Sequence, residues 1–283
     1  MSVADKLQLI AENEQKVYNA GYEKGKSEGG GGDDLETKIL EKTVTEYSNN
    51  SVTSIGSWAF KSCVMLISIN CQACKSIGDY AFEYCKNLLE ANFNSCEHIG
   101  HKAFSGCYTL KSINAPTCKT IGQSAFVNCS RIETANFPLC TSVMYAAFSS
   151  CSSLKDVYMP MCQSIAGFTF NNCYAITNVN IESCVKVDGS AFTGCCNLAS
   201  IDLPVCSSIN VGAFSGCSKL TTLKLGWSSV ATLQNQNAFN STPMSSTTYT
   251  GTWGSIYVPA SLVDVYKSAT NWTAYADRIT ALE

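Results

Sequence analysis

The sequence predicts a solenoid of the α/β class, in which short parallel strands and short turns stack in coils of 22 residues. Three observations carry this prediction: a repeated Ala-Phe or Thr-Phe pair, a pair of apolar positions two residues apart in each coil, and a spacing of 22 residues between the first eight phenylalanines without insertion or deletion. A coil of this size cannot bury its apolar face alone, so it must stack on its neighbours. The repeated phenylalanines are Phe60, Phe82, Phe104, Phe126, Phe148, Phe170, Phe192, Phe214 and Phe239.

Each coil contains one predicted strand. Apolar residues two positions apart, such as Ile69 and Cys71, place their side chains on the same buried face of a strand. The residues before and between them then point outward and form a polar, amide-rich surface that we call the asparagine face. Its members are Asn70, Asn92, Asn114, Asn136, Tyr158, Asn180 and Asp202 in one column and Glu90, Asp156 and Asn178 in the neighbouring column.

The asparagine face has two interpretations. In the first, stacked amides hydrogen-bond one another in a cross-strand ladder that solubilises an otherwise apolar sheet. In the second, the face binds a ligand, since planar donors and acceptors suit sugar hydroxyls or a partner's backbone and Tyr158 offers an aromatic platform. The sequence favours the ladder, because a column that repeats this closely is explained by repeat copying.

The rest of each coil is predicted as a turn, an aliphatic residue such as Ile77, and a single helical or 3-10 turn that carries Ala-Phe. Fifteen of the seventeen cysteines fall into two columns, three and fourteen residues after each phenylalanine. We expect free, buried thiols that donate weak S–H hydrogen bonds to turn carbonyls, although the spacing of about 4.8 Å between coils would permit disulfides. The structural columns of the core include Phe82, Phe104, Phe126, Cys85, Cys107, Cys118 and Cys140.

No catalytic or metal-binding constellation is predicted. Cys71-Gln-Ala-Cys74 looks like a redox or zinc half-site, but Cys74 belongs to a cysteine column and Cys71 occupies an inward strand position. His98 and His101 lie in one turn and are interpreted as solvated turn residues. Cys196 lies outside both columns and is expected to be exposed and oxidisable. The sequence therefore predicts neither an enzyme nor a cofactor.

Composition argues against two classes of partner. Charged residues make up only 14% of the chain and the formal net charge is -3, so attraction to nucleic-acid phosphates or anionic lipid is weak. No segment approaches 18 consecutive apolar residues, and the first 25 residues lack the pattern of a signal peptide. We expect no nucleic-acid partner, no membrane insertion, and synthesis in the cytoplasm without a signal peptide.

One run recurs in every coil, and in residues 76–88 it reads Ser-Ile-Gly-Asp-Tyr-Ala-Phe-Glu-Tyr-Cys-Lys-Asn-Leu. This run, followed by a strand, resembles the BspA-like, or treponemal, class of leucine-rich repeat over about residues 52–225. The resemblance implies a right-handed curved solenoid with a parallel sheet on its concave side and no catalytic residues. Members of that family are mostly surface, adhesion or interaction proteins, so the resemblance implies a protein or surface-glycan ligand.

Four segments are predicted along the chain. They are an amphipathic anchor helix at 1–28, a glycine-rich linker and polar tether at 29–48, the solenoid at 49–225, and an irregular last repeat with a C-terminal cap at 226–283. The anchor helix is predicted from coiled-coil-like spacing of Val3, Leu7, Ile10 and Val17, and we expect it to self-associate or to attach to a virion. The aromatic residues near the C-terminus are interpreted as a cover for the open end of the sheet, in preference to a ligand box.

Residues 4–26 also resemble the starts of tail-associated proteins of phages and prophages of gut Gram-positive bacteria. The first hypothesis is therefore a non-enzymatic virion protein whose repeats recognise a host surface component. The alternative is a bacterial leucine-rich-repeat adhesion or interaction protein that is not part of a particle. The first would be found in the virion, and the second would be cytoplasmic or exported by a non-classical route.

Overall fold

The computed structural model describes residues 42–245 and 253–282. The predicted anchor helix, with Val3, Leu7, Ile10 and Val17, lies outside the described residues, and so do residues 29–41 of the predicted tether. The described residues form a stack of coils with a 22-residue repeat in which neighbouring strands pair in parallel. The predicted solenoid of parallel strands is thereby confirmed.

The longer strands lie on one side of the coils, and the eight strands predicted from the period-two pattern are among them. They are β1 (Glu46–Ser48), β3 (Ser68–Asn70), β5 (Glu90–Asn92), β7 (Ser112–Asn114), β9 (Thr134–Asn136), β11 (Asp156–Tyr158), β13 (Asn178–Asn180), β15 (Ser200–Leu203), β17 (Thr222–Leu225), β19 (Ser255–Val258) and β20 (Ile279–Ala281). Hydrogen bonds join them into three sheets of order β1-β3-β5-β7, β13-β11-β9 and β15-β17-β19-β20. The second residue of most of these strands, such as Ile69, Ala91 and Val157, is buried in the core; Val179 of β13 is partly buried, and in β20 the first residue, Ile279, is the buried one.

A second line of strands, two residues each, forms a nine-stranded parallel sheet that was not predicted from the sequence. These strands are β2 (Ser54–Ile55), β4 (Ser76–Ile77), β6 (His98–Ile99), β8 (Thr120–Ile121), β10 (Ser142–Val143), β12 (Ser164–Ile165), β14 (Lys186–Val187), β16 (Ser208–Ile209) and β18 (Thr232–Leu233). Each strand contributes one inward aliphatic residue, so no alternation is visible within a single coil. The sheet arises only from bonds between coils, such as that from the Gly100 amide to the Ile77 carbonyl at 2.8 Å.

The segment that carries Ala-Phe is a run of hydrogen-bonded turns rather than a regular helical turn in the first eight coils. Two residues per coil, such as Tyr80 (φ 58) and Tyr84 (φ 60), adopt the left-handed conformation and interrupt helical geometry. The amides of Tyr80, Phe82 and Tyr84 bond across coils, as from Phe82 to the Ala103 carbonyl at 2.7 Å, whereas those of Ala81 and Glu83 bond within the coil. A 3-10 helix, Gln236–Phe239, appears only at the last phenylalanine among these turns.

The core is a stack of rings flanked by thiols. Centroids of consecutive phenylalanine rings, from Phe60 to Phe239, are 4.9 to 5.6 Å apart and the rings are stacked. The seventeen cysteines all lie within the described residues, none forms a disulfide, and the fifteen column members are buried. In the first column each thiol from Cys85 onward donates to a phenylalanine carbonyl of the preceding coil, as from Cys85 to Phe60 at 2.9 Å. In the second column the acceptor lies two residues ahead, as from Cys118 to Thr120 at 3.4 Å.

The repeat array starts earlier than predicted. Strand β1 lies inside the segment 29–48 that was predicted to be a linker and tether. Val44 and Tyr47 of that segment are buried, and Tyr47 pairs in register with Ile69. The array therefore begins by Val44, before the predicted boundary at residue 49. This coil was not predicted because no Ala-Phe pair precedes it.

The C-terminal segment closes the open end of the stack. After β19 come a 3-10 helix (Ala260–Leu262), helix α1 (Val263–Ser268), a second 3-10 helix (Trp272–Arg278) and β20. The rings of Trp272 and Tyr275 lie 6.3 and 5.3 Å from the ring of Phe239, which is the last of the column. The Trp272 indole Nε1 donates to the Ala231 carbonyl at 2.7 Å, and the Tyr266 hydroxyl accepts from the Ala231 amide at 2.8 Å. These aromatic side chains are therefore built into the core of the last coil.

Candidate binding surfaces

The asparagine face is brought together by strand register. Asn70, Asn92 and Asn114 occupy directly neighbouring positions on β3, β5 and β7. Tyr158 lies between Asn136 and Asn180 in the same way. The Tyr158 side chain is 45% exposed, so its ring is open to a partner. The polar side chains at these positions form one continuous strip across the coils.

The second column of the asparagine face lies two residues earlier on the same strands. Glu90 pairs in register with serines on both neighbouring strands and is exposed. Asp156 pairs with Asn178, whose amide donates to the Asp156 carboxylate at 2.6 Å. Asp202 continues the first column on β15, where it pairs with Lys224. The charged members of this face, Glu90, Asp156 and Asp202, are all acidic, and the remaining members are amides and Tyr158.

The amides of the first column do not form the predicted hydrogen-bonded ladder. In the described part of the chain, the Asn114 amide donates to Asn94 at 2.7 Å and the Asn180 amide donates to Glu182 at 2.7 Å, both in the turns beside the strands. The carboxamide oxygens of Asn70 and Asn180 are buried and have no hydrogen-bond partner. A buried acceptor without a partner costs free energy. The face therefore retains unused hydrogen-bonding capacity.

A second surface lies where the nine-stranded sheet meets the turns. It is an open groove of about 430 Å³, which we call the histidine groove, lined by Ile77, Asp79, His98, Ile99, Gly100, His101, Thr120, Gly122, Gln123 and Met144. The His98 Nδ1 atom lies 2.8 Å from the Thr120 hydroxyl, and the Asp79 carboxylate accepts from the His101 amide at 2.7 Å. The sequence pattern indicates two solvated turn histidines, whereas the structure places both in one groove. Its signal in the sequence is the glycine four residues before each of the first four phenylalanines.

The floor of the groove is backbone because no side chain fits there. A Cβ atom at Gly100 would lie 2.7 Å from the Gly78 carbonyl carbon, and one at Gly122 would lie 2.6 Å from the Gly100 carbonyl carbon. The adjacent coils are therefore in direct backbone contact at this edge. The polar side chains of the groove stand at the sides of a bare floor.

A cluster of aromatic rings lies beside His101 of the histidine groove. The Tyr80 ring lies 5.0 Å from the His101 ring in an edge-to-face arrangement and 4.7 Å from the Trp58 ring. The Lys61 ammonium lies 4.5 Å above the Trp58 ring and 3.2 Å from the buried carboxylate of Glu83. These contacts hold the His101 imidazole in a fixed orientation at the side of the groove.

The Cys71 thiol of the Cys71-Gln-Ala-Cys74 motif does not have the lowered pKa of a reactive redox cysteine. Burial raises the pKa of Cys63 and of Cys71 to about 12, so both thiols stay protonated at neutral pH. A redox Cys-X-X-Cys pair has a lowered pKa instead. Within residues 42–245 and 253–282, no group of three or more His, Cys, Asp and Glu side chains is arranged to hold a metal ion. No helix in this part of the chain is long and apolar enough to cross a membrane.

Three solved leucine-rich-repeat structures are similar to this chain. A leucine-rich-repeat protein of T. pallidum matches with 23% identity and a TM-score of 0.46, covering 55% of this chain and 72% of that chain. A leucine-rich cell surface protein of Faecalibacterium prausnitzii matches with 20% identity and a TM-score of 0.51, covering 78% of this chain and 65% of that chain. A leucine-rich-repeat protein of Bacteroides ovatus matches with 19% identity and a TM-score of 0.37, covering 83% and 88%.

A comparison with curated protein sequences gave no match. The family model of the BspA type leucine-rich-repeat region matches in six copies, over residues 42–155 and 141–260. These spans include every coil that carries a repeated phenylalanine. They also include Val44 and Tyr47, in agreement with the early start of the array. The chain therefore belongs to the BspA-type leucine-rich-repeat family.

Proposed function

We propose that the chain is a non-enzymatic bacterial interaction or adhesion protein that binds a protein partner on its asparagine face. The observation that carries this proposal is the register of the face, which aligns exposed amides, carboxylates and the Tyr158 ring across successive coils. The leucine-rich-repeat family supports it, because its solenoids generally serve as binding scaffolds. The comparisons lend no support to a virion role, and they fit the alternative bacterial interpretation better.

The dimensions of the asparagine face suit a protein. Seven coils at about 4.8 Å each give a strip about 30 Å long, comparable with the extent of a standard protein interface of about 800 Å² per partner. Tyr158 stands near the middle of this strip, where an aromatic side chain contributes most to binding energy. The side chains of Asn114, Asn136 and Asn178 are exposed, and their amides can donate to and accept from the backbone of a partner.

The test uses the labelled full chain on a printed array of purified secreted and cell-surface proteins. The face variant carries Asn136→Ala and Tyr158→Ala, and the control carries Gln163→Ala, an exposed residue that is not part of the face. Proteins bound by the wild type and the control but lost by the face variant support the proposal. If every bound protein is retained by the face variant, or if no protein is bound, the proposal is wrong.

A further inference from the structure

The histidine groove has the volume of a small-ligand site. Its volume of about 430 Å³ falls within the range of about 300–1,000 Å³ that is typical of such sites. Gly100 and Gly122 let adjacent coils stack in backbone contact, so no side chain projects from these two positions. The asparagine face, which is a strip along the strands, is a different surface formed by other residues.

The polar groups at the sides of the groove are mixed donors and acceptors. One Asp79 oxygen accepts the His101 amide, which leaves its second oxygen for a ligand. The His98 Nδ1 atom is hydrogen-bonded to the Thr120 hydroxyl, which leaves the Nε2 atom to bond a ligand. The Gln123 amide is exposed and contributes two donors and an acceptor. A sugar hydroxyl both donates and accepts, so it can pair with each of these groups.

Charge and apolar surface narrow the class of ligand. None of the ten described residues that line the groove is lysine or arginine, and Asp79 would repel an anion. Met144, which is 50% exposed, provides an apolar contact for the C–H face of a ring. Phosphates and acidic sugars are therefore disfavoured, and neutral sugars are favoured. The edge-to-face contact between Tyr80 and His101 favours one orientation of this imidazole.

From this geometry we infer that the histidine groove binds a neutral mono- or disaccharide unit through Asp79, His98, His101 and Gln123. The inference does not depend on the protein partner proposed for the asparagine face. A glycan bound here would give the chain a second contact on a surface glycoprotein or polysaccharide. The two contacts lie on different sides of the coils.

The histidines make a direct test possible, because the chain has only two and both line the groove. The full chain, free of any histidine tag and labelled with ¹³C at histidine, is titrated at fixed pH with cellobiose, maltose, lactose and chitobiose. Both imidazole Hε1 signals should shift in a saturable way with at least one of these sugars. Gln123→Ala should weaken that binding about fivefold, the effect of one lost hydrogen bond.

Matched variants distinguish sugar binding in the histidine groove from sugar binding elsewhere on the chain. Gln163→Ala removes an exposed glutamine elsewhere, and Tyr158→Ala alters the asparagine face; neither should change the sugar titration. If none of the four sugars binds at millimolar concentration, or if a sugar binds without moving either imidazole signal, the inference is overturned. Saturable shifts on addition of Zn²⁺ but of no sugar would overturn it in favour of a metal site.

Discussion

Replacing Phe126 by alanine removes one ring from the middle of the phenylalanine column. The ring is fully buried, and its centroid lies 5.2 Å from that of Phe104 and 4.9 Å from that of Phe148. The backbone bonds from Phe104 to the Ala125 carbonyl and from Phe126 to the Ala147 carbonyl, at 2.8 and 2.7 Å, set the distance between coils. The neighbouring coils therefore cannot close into the void.

Because the cavity persists, Phe126→Ala should lower the free energy of unfolding by about 4 kcal/mol, the middle of the usual range for Phe→Ala in a core. Phe168→Ala is the matched control, since Phe168 is 39% exposed and contacts the Tyr145 ring at 5.4 Å. It should cost about 1 kcal/mol or less. Asn114→Ala, which removes one exposed hydrogen bond to Asn94, should cost a similarly small amount.

Urea unfolding of the three variants measures these differences, from the midpoint and slope of each transition. The slope matters, because a defect in the middle of a repeat array can split one transition into two. If Phe126→Ala and Phe168→Ala lower the free energy of unfolding equally, the ring column is not the core of the solenoid and the assignment of inward positions is wrong.

Four further predictions concern the thiols and the two ends. In the native protein iodoacetamide should modify Cys196 first and the column thiols only after unfolding; several disulfides within one column would contradict this. Burial raises the pKa of Cys63, Cys71 and Cys118 to about 12, whereas thiols in the unfolded chain ionise near pH 8.5. The free energy of unfolding should therefore fall above about pH 8.5, by about 1.4 kcal/mol per pH unit for each thiol. Urea midpoints, measured in reductant, that stay constant from pH 8 to 10 would refute this prediction. Trp272→Ala should expose Phe239 and cause aggregation seen by light scattering, unlike Trp227→Ala at a 37% exposed position. Deletion of residues 1–32 should leave thermal unfolding almost unchanged and abolish self-association, and a full-length monomer that loses stability on truncation would show the reverse.

The parts of the fold that could be predicted are those whose residues recur at the same position in successive coils. Phe82 and Cys85 recur at constant spacing, so a single sequence supplies eight copies of the same evidence. The nine-stranded sheet was missed because each of its strands has only one inward aliphatic residue. A single residue cannot show the two-residue alternation by which a strand is recognised in a sequence. The left-handed turn positions were missed as well, since most of them, including Trp58, Tyr80 and Lys102, are not glycine.

The candidate surfaces show the same limit. The asparagine face follows from alternation along one strand and was visible in the sequence. The histidine groove draws Asp79, His98 and Gln123 from three coils, and their juxtaposition depends on backbone contact at Gly100 and Gly122. The recurrent glycine marks this contact in the sequence, but only the stacked coils show which side chains it brings together.

The direction of the thiol bonds bears on how the chain folds during synthesis. Cys85 donates to Phe60 and Cys107 to Phe82, so each acceptor leaves the ribosome 25 residues before its donor. At about 5–20 residues per second, one coil emerges every few seconds. A new coil can dock at once on the coil already formed, because contacts between neighbouring coils span little more than one repeat. The growing end remains apolar throughout, and it is covered only when Tyr266, Trp272 and Tyr275 emerge last.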